Sequence, residues 1–398
     1  MQGVTEVHQM FADRTNWNMA ANRLSEALSK RRTSGRQFVD LTASNPTDCG
    51  FEYENQAILQ ALSNPANLAY NPEPQGLRAA RAAVAAYYTN YGAAVTAGDI
   101  FLTTSTSEAY SFIFRILCNP GDEVLVPQPS YPLFDFLAEI QDVRLVRYPL
   151  IYDYAGDHGW QIDFHALQQA MTSRTRGVIV VHPNNPTGHF TRPGELAKLN
   201  EICSTGQMAL IADEVFLDFA HNENRPVSFA GNTGALTFTM SGLSKISGLP
   251  QMKSAWLVAG GPQQLKARAL QRLEVIADTY LSGNAPVQLA TPVFLEQRHG
   301  FQNQLMTRVQ QNLKELDCQL GGQKLCTRLE VEGGWYAILR VPATCSDEEF
   351  AVELLTSRGV NVHPGHFYDF PVEGYVIVSL ITREQDFARG IELLLSMF

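Results

Sequence analysis

The chain has 398 residues, 45% of them hydrophobic and 18% charged, with 30 Lys and Arg against 40 Asp and Glu and a formal net charge of -10. That balance excludes a disordered or fibrous chain and offers no broad basic footprint for nucleic acid. At this length one large and one small structural unit are expected.

The opening segment, MQGVTEVHQMFADRTNW, has acidic residues early and no apolar core behind basic ones, so it does not read as a signal peptide. No stretch approaches the roughly 18 apolar residues of a membrane span. From residue 100 the order of elements is regular. IFLTT reads as a strand, SEAYSFIFRILC as a helix, EVLVP as a strand, PLFDFLAEI as a helix, VRLVRYP as a strand and FHALQQAM as a helix. GVIVVHP, the helix PGELAKLNEICS, and the strands MALIADEVF, ALTFTM and AWLVAGG follow. Continuously apolar strands separated by amphipathic helices imply an α/β fold, a mostly parallel seven-stranded sheet covered on both faces.

A long helical region, roughly 262 to 320, opens on PQQLKARALQRLEVIADTYLS with Pro262 near its first turn. Beyond it the order becomes strand, helix, strand, strand, helix, which suits a smaller α+β unit. The expected division is 1–50 as an N-terminal segment joining the small domain, 51–290 as the large domain and 291–398 as the C-terminal small domain. The six cysteines are scattered without a C-x-x-C pair, which reads as reduced thiols in a cytoplasmic protein. His363 and His366 in HPGHF flank a Pro-Gly turn rather than a ligand-bearing helix, so no metal site is expected.

In open α/β sheets, ligands bind beyond the carboxyl ends of the strands. Five such places carry compatible chemistry. Lys245, in MSGLSKISGLP, follows a strand in a loop of Ser and Gly, and a desolvated lysine amine can condense with a carbonyl. Asp213, in LIADEV, ends an apolar strand and needs a partner there; a protonated pyridine nitrogen would serve. Ser105 and Glu108 have capping-box spacing, and the hydroxyls of Ser105, Thr106 and Ser107 beside free N–H groups would cup a phosphate. Asn184 or Asn185, in HPNNPTGHF, could bond a ring oxygen while Gly188 permits a tight turn. Tyr131, in PSYPLF, could stack on a planar ring.

These residues resemble the fold-type I pyridoxal phosphate (PLP) enzymes, specifically the class I/II aminotransferases, from about Leu41 to the C-terminus, with NNPTG, ADEVF and SGLSK in that order. The resemblance implies that Lys245 holds PLP as an internal aldimine, Asp213 pairs with the pyridine N–H, Asn185 bonds the ring hydroxyl and Tyr131 stacks on the ring. Ser105, Thr106 and Ser107 align with the phosphate cup. Tyr70 matches a tyrosine that reaches the partner subunit's phosphate, which implies a homodimer with composite sites. The implied activity moves an amino group between a small or apolar amino acid and a 2-keto acid. The alternative on the same scaffold is a lyase, decarboxylase or racemase.

Four positions depart from the family pattern. Ile377 stands where the family carries the arginine that clamps the substrate carboxylate, leaving Arg383, Arg14, Arg23 and His366 as replacements to consider. Phe216 replaces a tyrosine that donates to the ring oxygen. Lys253 replaces a phosphate-binding arginine, keeping charge without the fork. Gly242 replaces a phosphate-contacting serine, so Ser241 and Ser244 become substitutes. Trp17 and Tyr336 are further aromatic candidates for the substrate pocket.

Overall fold

In the computed structural model, residues 10–132, 134–155, 159–222 and 226–398 are described, so the first nine residues of the opening segment lie outside the described residues. After β1 (Val39–Asp40), the large sheet takes β2 (Ile100–Thr103), β3 (Glu123–Gln128), β4 (Arg144–Tyr152), β5 (Trp160–Ile162), β6 (Thr175–Val181), β7 (Ala209–Asp213), β8 (Thr237–Gly242) and β9 (Ala255–Gly260). Their order across the sheet is β2-β9-β8-β7-β6-β3-β4-β5. The five strands from β8 to β4 run parallel, while β9 is antiparallel to both β8 and β2. Seven strands match the expected set. The eighth, β5, is a three-residue edge strand antiparallel to β4, too short to show a period in the sequence.

Two reversals cancel, so β2 points the same way as β8. The carboxyl ends of β2, β8, β7, β6 and β3 therefore share one edge, and the segments that follow them converge there.

The buried strands alternate between two layers, as a pleat of period two requires. Ala209 and Ile211 of β7 pack with Phe112, Ile113, Leu273 and Ala277 of helices Thr106–Leu117 and Gln263–Tyr280. Leu210 and Ala212 face the opposite way, toward Leu199 and Ile202 of helix Pro193–Thr205. Asp213 continues the first set and so faces helix Thr106–Leu117.

The single helical region expected over 262–320 is three helices, Gln263–Tyr280, Ala285–Glu296 and Arg298–Leu320. Leu281 ends the first in a left-handed conformation (φ 47°), and the Asn284 side chain caps the second by accepting from Val287 N. The small sheet is built from β10 (Thr327–Arg328), β11 (Tyr336–Arg340), β13 (His363–Pro364) and β14 (Tyr375–Ser379), in the order β10-β11-β14-β13. Between them β12 (Val360–Asn361) pairs in parallel with β1. Nearer the N-terminus, the Trp17 indole meets Phe136 edge-on at 5.5 Å and donates to Glu139 at 2.5 Å, both on helix Phe134–Glu139 of the large unit. No helix among the described residues is long and apolar enough to cross a membrane.

Candidate active site

The shared strand edge opens into a cavity of about 440 Å³. Its wall includes Thr106, Ser107, Tyr131, Asn185, Asp213, Phe216, Ser244, Lys245 and Lys253, nine of the eleven residues expected from sequence. Ser105 and Tyr70 are the exceptions.

Lys245 follows β8 in the one-turn helix Leu243–Ile246. Its Nζ lies 4.7 Å from the centroid of Trp335 and 5.7 Å from that of Phe216. Burial lowers the amine from 10.5 to about 8, and the charge of Asp213 resists that shift. Asp213, 7% exposed, is pushed up to about 6 by burial. Val215 N donates to its Oδ1 at 3.2 Å and the Tyr110 hydroxyl to its Oδ2 at 3.1 Å. Asp213 forms no salt bridge among the described residues, and Lys245 is the cation whose charge reaches it across the cavity.

The choice between the two asparagines is resolved by hydrogen bonding. Asn184 spends its amide on the protein: Nδ2 donates to Pro129 O (3.1 Å) and Thr187 Oγ1 (3.0 Å), and Oδ1 accepts from Ser130 Oγ at 3.3 Å. Asn185 lines the cavity, and its buried Oδ1 has no partner among the described residues. Gly188 adopts φ +71°, and a Cβ there would lie 2.4 Å from Val331 Cγ2. Only glycine satisfies that turn.

The anion end differs from expectation in three details. Ser105 does not line the cavity; its hydroxyl accepts from Glu108 N at 3.2 Å as a helix cap. Glu108 does not complete the reciprocal box but accepts from Thr104 N at 2.7 Å. Thr106 and Ser107, at the helix N-terminus, remain for an anion. Ser241 is also spent, donating to Glu214 O at 3.2 Å, so of the two serine substitutes only Ser244 reaches the cavity. Gly242 has a steric reason: a Cβ there would lie 2.9 Å from Ala255 Cβ and 3.0 Å from Ser254 O.

None of the four proposed carboxylate-binding replacements lines this cavity. Arg14 pairs with Asp142 and Arg23 with Glu349, Arg383 lies against Gly50, and His366 is exposed. Ile377 is buried on β14 opposite Ile338 and His363. The polar lining residues that sequence reasoning did not single out for the cavity are Ser44, Tyr110, Tyr368 and His363. His363 is held by Tyr368 at 3.2 Å, and burial lowers it to about 4, so it is neutral. Tyr110 and Tyr368 carry a polar tip on an apolar body, and no sequence pattern separates such tyrosines from core ones. Tyr70 is 83% exposed and lies instead in a second cleft with Pro72, Leu281 and Gln288.

A family model described as aminotransferase class I and II matches residues 36–386. The chain belongs to this family of PLP-dependent enzymes. It is 30% identical over 258 residues to the glutamate-pyruvate aminotransferase AlaA of Escherichia coli K12, a match covering 64% of this chain and 63% of that protein, less than two thirds of its length. It is 26% identical over 378 residues to an alanine aminotransferase of Mycobacterium tuberculosis, covering 92% of this chain and 86% of the relative. In fold it is similar to the alanine aminotransferase of Pyrococcus furiosus, with a TM-score of 0.86 and 21% identity over 97% of this chain and 100% of that one.

The residues present fit PLP. Among the described residues, an Oδ1 of Asn185 without a hydrogen-bond partner, a carboxylate of Asp213 without a salt bridge and a lysine amine with a depressed pKa line one cavity, beside a helix N-terminus for a phosphate.

Proposed function

We propose that this chain is a PLP-dependent aminotransferase that moves an amino group between a small or apolar amino acid and a 2-keto acid, with Lys245 as its catalytic lysine. The observation that carries this reading is the pairing of Lys245 and Asp213 in one cavity, each with its pKa displaced by burial toward neutrality. PLP would supply an aldehyde and an electron-withdrawing ring.

The chain's own groups would do the rest. Lys245, with a pKa of about 8, keeps a usable fraction of neutral amine near pH 7, enough to attack a carbonyl carbon and later carry the proton at the substrate Cα. Asp213 would offer its carboxylate to the ring nitrogen. Asn185 would bond the ring oxygen, where Phe216 contributes no hydroxyl, and Tyr131 would cover the ring. Thr106, Ser107, Ser244 and Lys253 would hold the phosphate, with Lys253 a point charge rather than a fork.

Support for a small or apolar substrate comes from the walls formed by Val181, Phe216, Tyr336 and Leu137, and from relatives named alanine and glutamate-pyruvate aminotransferases. The exposed Tyr70 supports a homodimer in which each chain lends this residue to its partner's cavity. Six free thiols support a reducing, cytoplasmic setting.

A lyase, decarboxylase or racemase is the second reading. It is favoured by one observation: among the described residues no arginine lines the cavity, so the grip on a substrate carboxylate, which decides the bond broken, is weaker than a guanidinium would give. The test is a panel of amino acids mixed with the loaded enzyme without a keto acceptor. Stoichiometric conversion to the amine form of the cofactor supports transamination, while repeated release of ammonia or carbon dioxide rules it out as the main activity.

A further inference from the structure

We infer that Tyr110 is a positioning residue, whose hydroxyl bond to Asp213 keeps the proton shared by that carboxylate and the cofactor ring on the ring nitrogen. This rests on the reading above that Asp213 faces that nitrogen.

The contact follows from the fold. Tyr110 lies one turn into helix Thr106–Leu117, whose first residues line the anion end of the cavity, and it is 2% exposed. Phe134 meets its ring edge-on at 5.4 Å and Phe114 packs against it at 5.9 Å, which fixes the phenol plane. The hydroxyl reaches Asp213 Oδ2 at 3.1 Å because Asp213 points to the same face of β7 as Ile211. Val215 N supplies the only other bond to that carboxylate among the described residues. An ionised carboxylate accepts at about four lone-pair positions, so two donors leave room for a third.

The energetic argument is a competition. An acid–base pair can exist as O–H···N or as O⁻···H–N⁺. Burial favours the first, because it disfavours charge. A donor on the carboxylate favours the second, and hydrogen bonds to charged groups are the stronger kind. Tyr110 remains that donor, since burial and the nearby Asp213 push its own pKa far up. The other ionisable groups whose charges reach the pair are Lys245, Tyr131, Tyr88, Tyr148 and Glu214; burial keeps the three tyrosine hydroxyls protonated and pushes Glu214 up to about 8. With Phe216 in place of a hydroxyl-bearing ring, the electronic setting of the cofactor depends on Asp213, and the setting of Asp213 depends on Tyr110.

The test loads the enzyme with PLP carrying ¹⁵N at the ring nitrogen and records its chemical shift, which differs strongly between protonated and bare nitrogen. Tyr110→Phe removes one oxygen and keeps the ring. It should move the signal toward the bare-nitrogen position and weaken cofactor binding about tenfold. Tyr110→His, which returns an N–H donor, should move the signal back and provides a second variant. Asp213→Asn should give the bare-nitrogen position outright. If Asp213→Asn moves the signal but folded Tyr110→Phe matches the wild type, the role assigned to Tyr110 is overturned. If Asp213→Asn leaves the signal in place, the Asp213 reading fails and carries this inference with it.

Discussion

The amine of Lys245 lies 4.7 Å from the centroid of Trp335, a fully buried ring that also meets Phe216 edge-on at 4.9 Å. Aromatic faces attract a cation, yet burial prevails and the amine falls to about 8. The rate at which cofactor-free protein condenses with PLP should therefore rise through about pH 8; an inflection near 10.5 would contradict it. Lys245→Arg cannot deprotonate, and should lose borohydride-fixed cofactor at this residue, read by peptide mass, together with activity by at least about 10³-fold.

In the cofactor-free protein, Asp213 is a strained group. Its folded pKa, about 6, lies above the ordinary 3.8, so its stability contribution is full below about pH 4 and is lost as pH rises through 6. Asp213→Asn should stabilise cofactor-free protein at pH 7 by about 1–3 kcal/mol, given 1.4 kcal/mol per unit. Urea melts should show that advantage vanish below about pH 4. With PLP bound the order should reverse.

The two adjacent asparagines should separate stability from binding. Asn184→Ala removes three hydrogen bonds and should cost about 2–3 kcal/mol in thermal or urea melts. Asn185→Ala removes an unpartnered buried oxygen, so it should leave cofactor-free stability within about 1 kcal/mol of the wild type while weakening PLP binding. Equal losses of stability would show that Asn185 has a structural role.

Gly242→Ser tests whether the family's serine could be restored. Contacts at 2.9 and 3.0 Å with Ala255 and Ser254 should make it destabilising by about 1–3 kcal/mol, with no gain in cofactor affinity.

Composite sites predict complementation. Lys245→Ala and Tyr70→Ala homodimers should each be nearly inactive. Mixed and allowed to exchange, they should regain about a quarter of wild-type activity, because half the dimers then hold one intact site. No recovery in dimers shown to exchange would place Tyr70 outside the partner's cavity.

The parts legible from sequence were those in which one segment carried both an apolar strand and the chemistry at its end. β6, β7 and β8 brought Asn185, Asp213 and Lys245 into view. Ser105 was not separable in that way, because the same hydroxyl spacing suits a phosphate cup and a helix cap; it caps the helix and lies outside the cavity wall. Tyr110 was hidden in an amphipathic helix, where its ring pattern is that of a core residue. The breaks at Leu281 and Gln297 left the helical period almost uninterrupted, so the sequence showed a long helical region without its division into three helices. Arg14 and Arg23 stay out of the cavity wall and pair with Asp142 and Glu349, partners that spacing along the chain does not reveal.

The turn at Gly188 is followed by a tether. Glu332, on the approach to β11, accepts from Phe190 N at 3.1 Å and from Arg192 at 3.1 Å, and lies 3.6 Å from His189. Val331 and Gly333 press so closely on Gly188 that any side chain would part them. The loop that presents Asn185 is thus fastened to the small sheet rather than free at the end of β6. A swing of that sheet must either break the tether or pull the loop with it, so movement at the mouth of the cavity and the hold on its contents are mechanically one event.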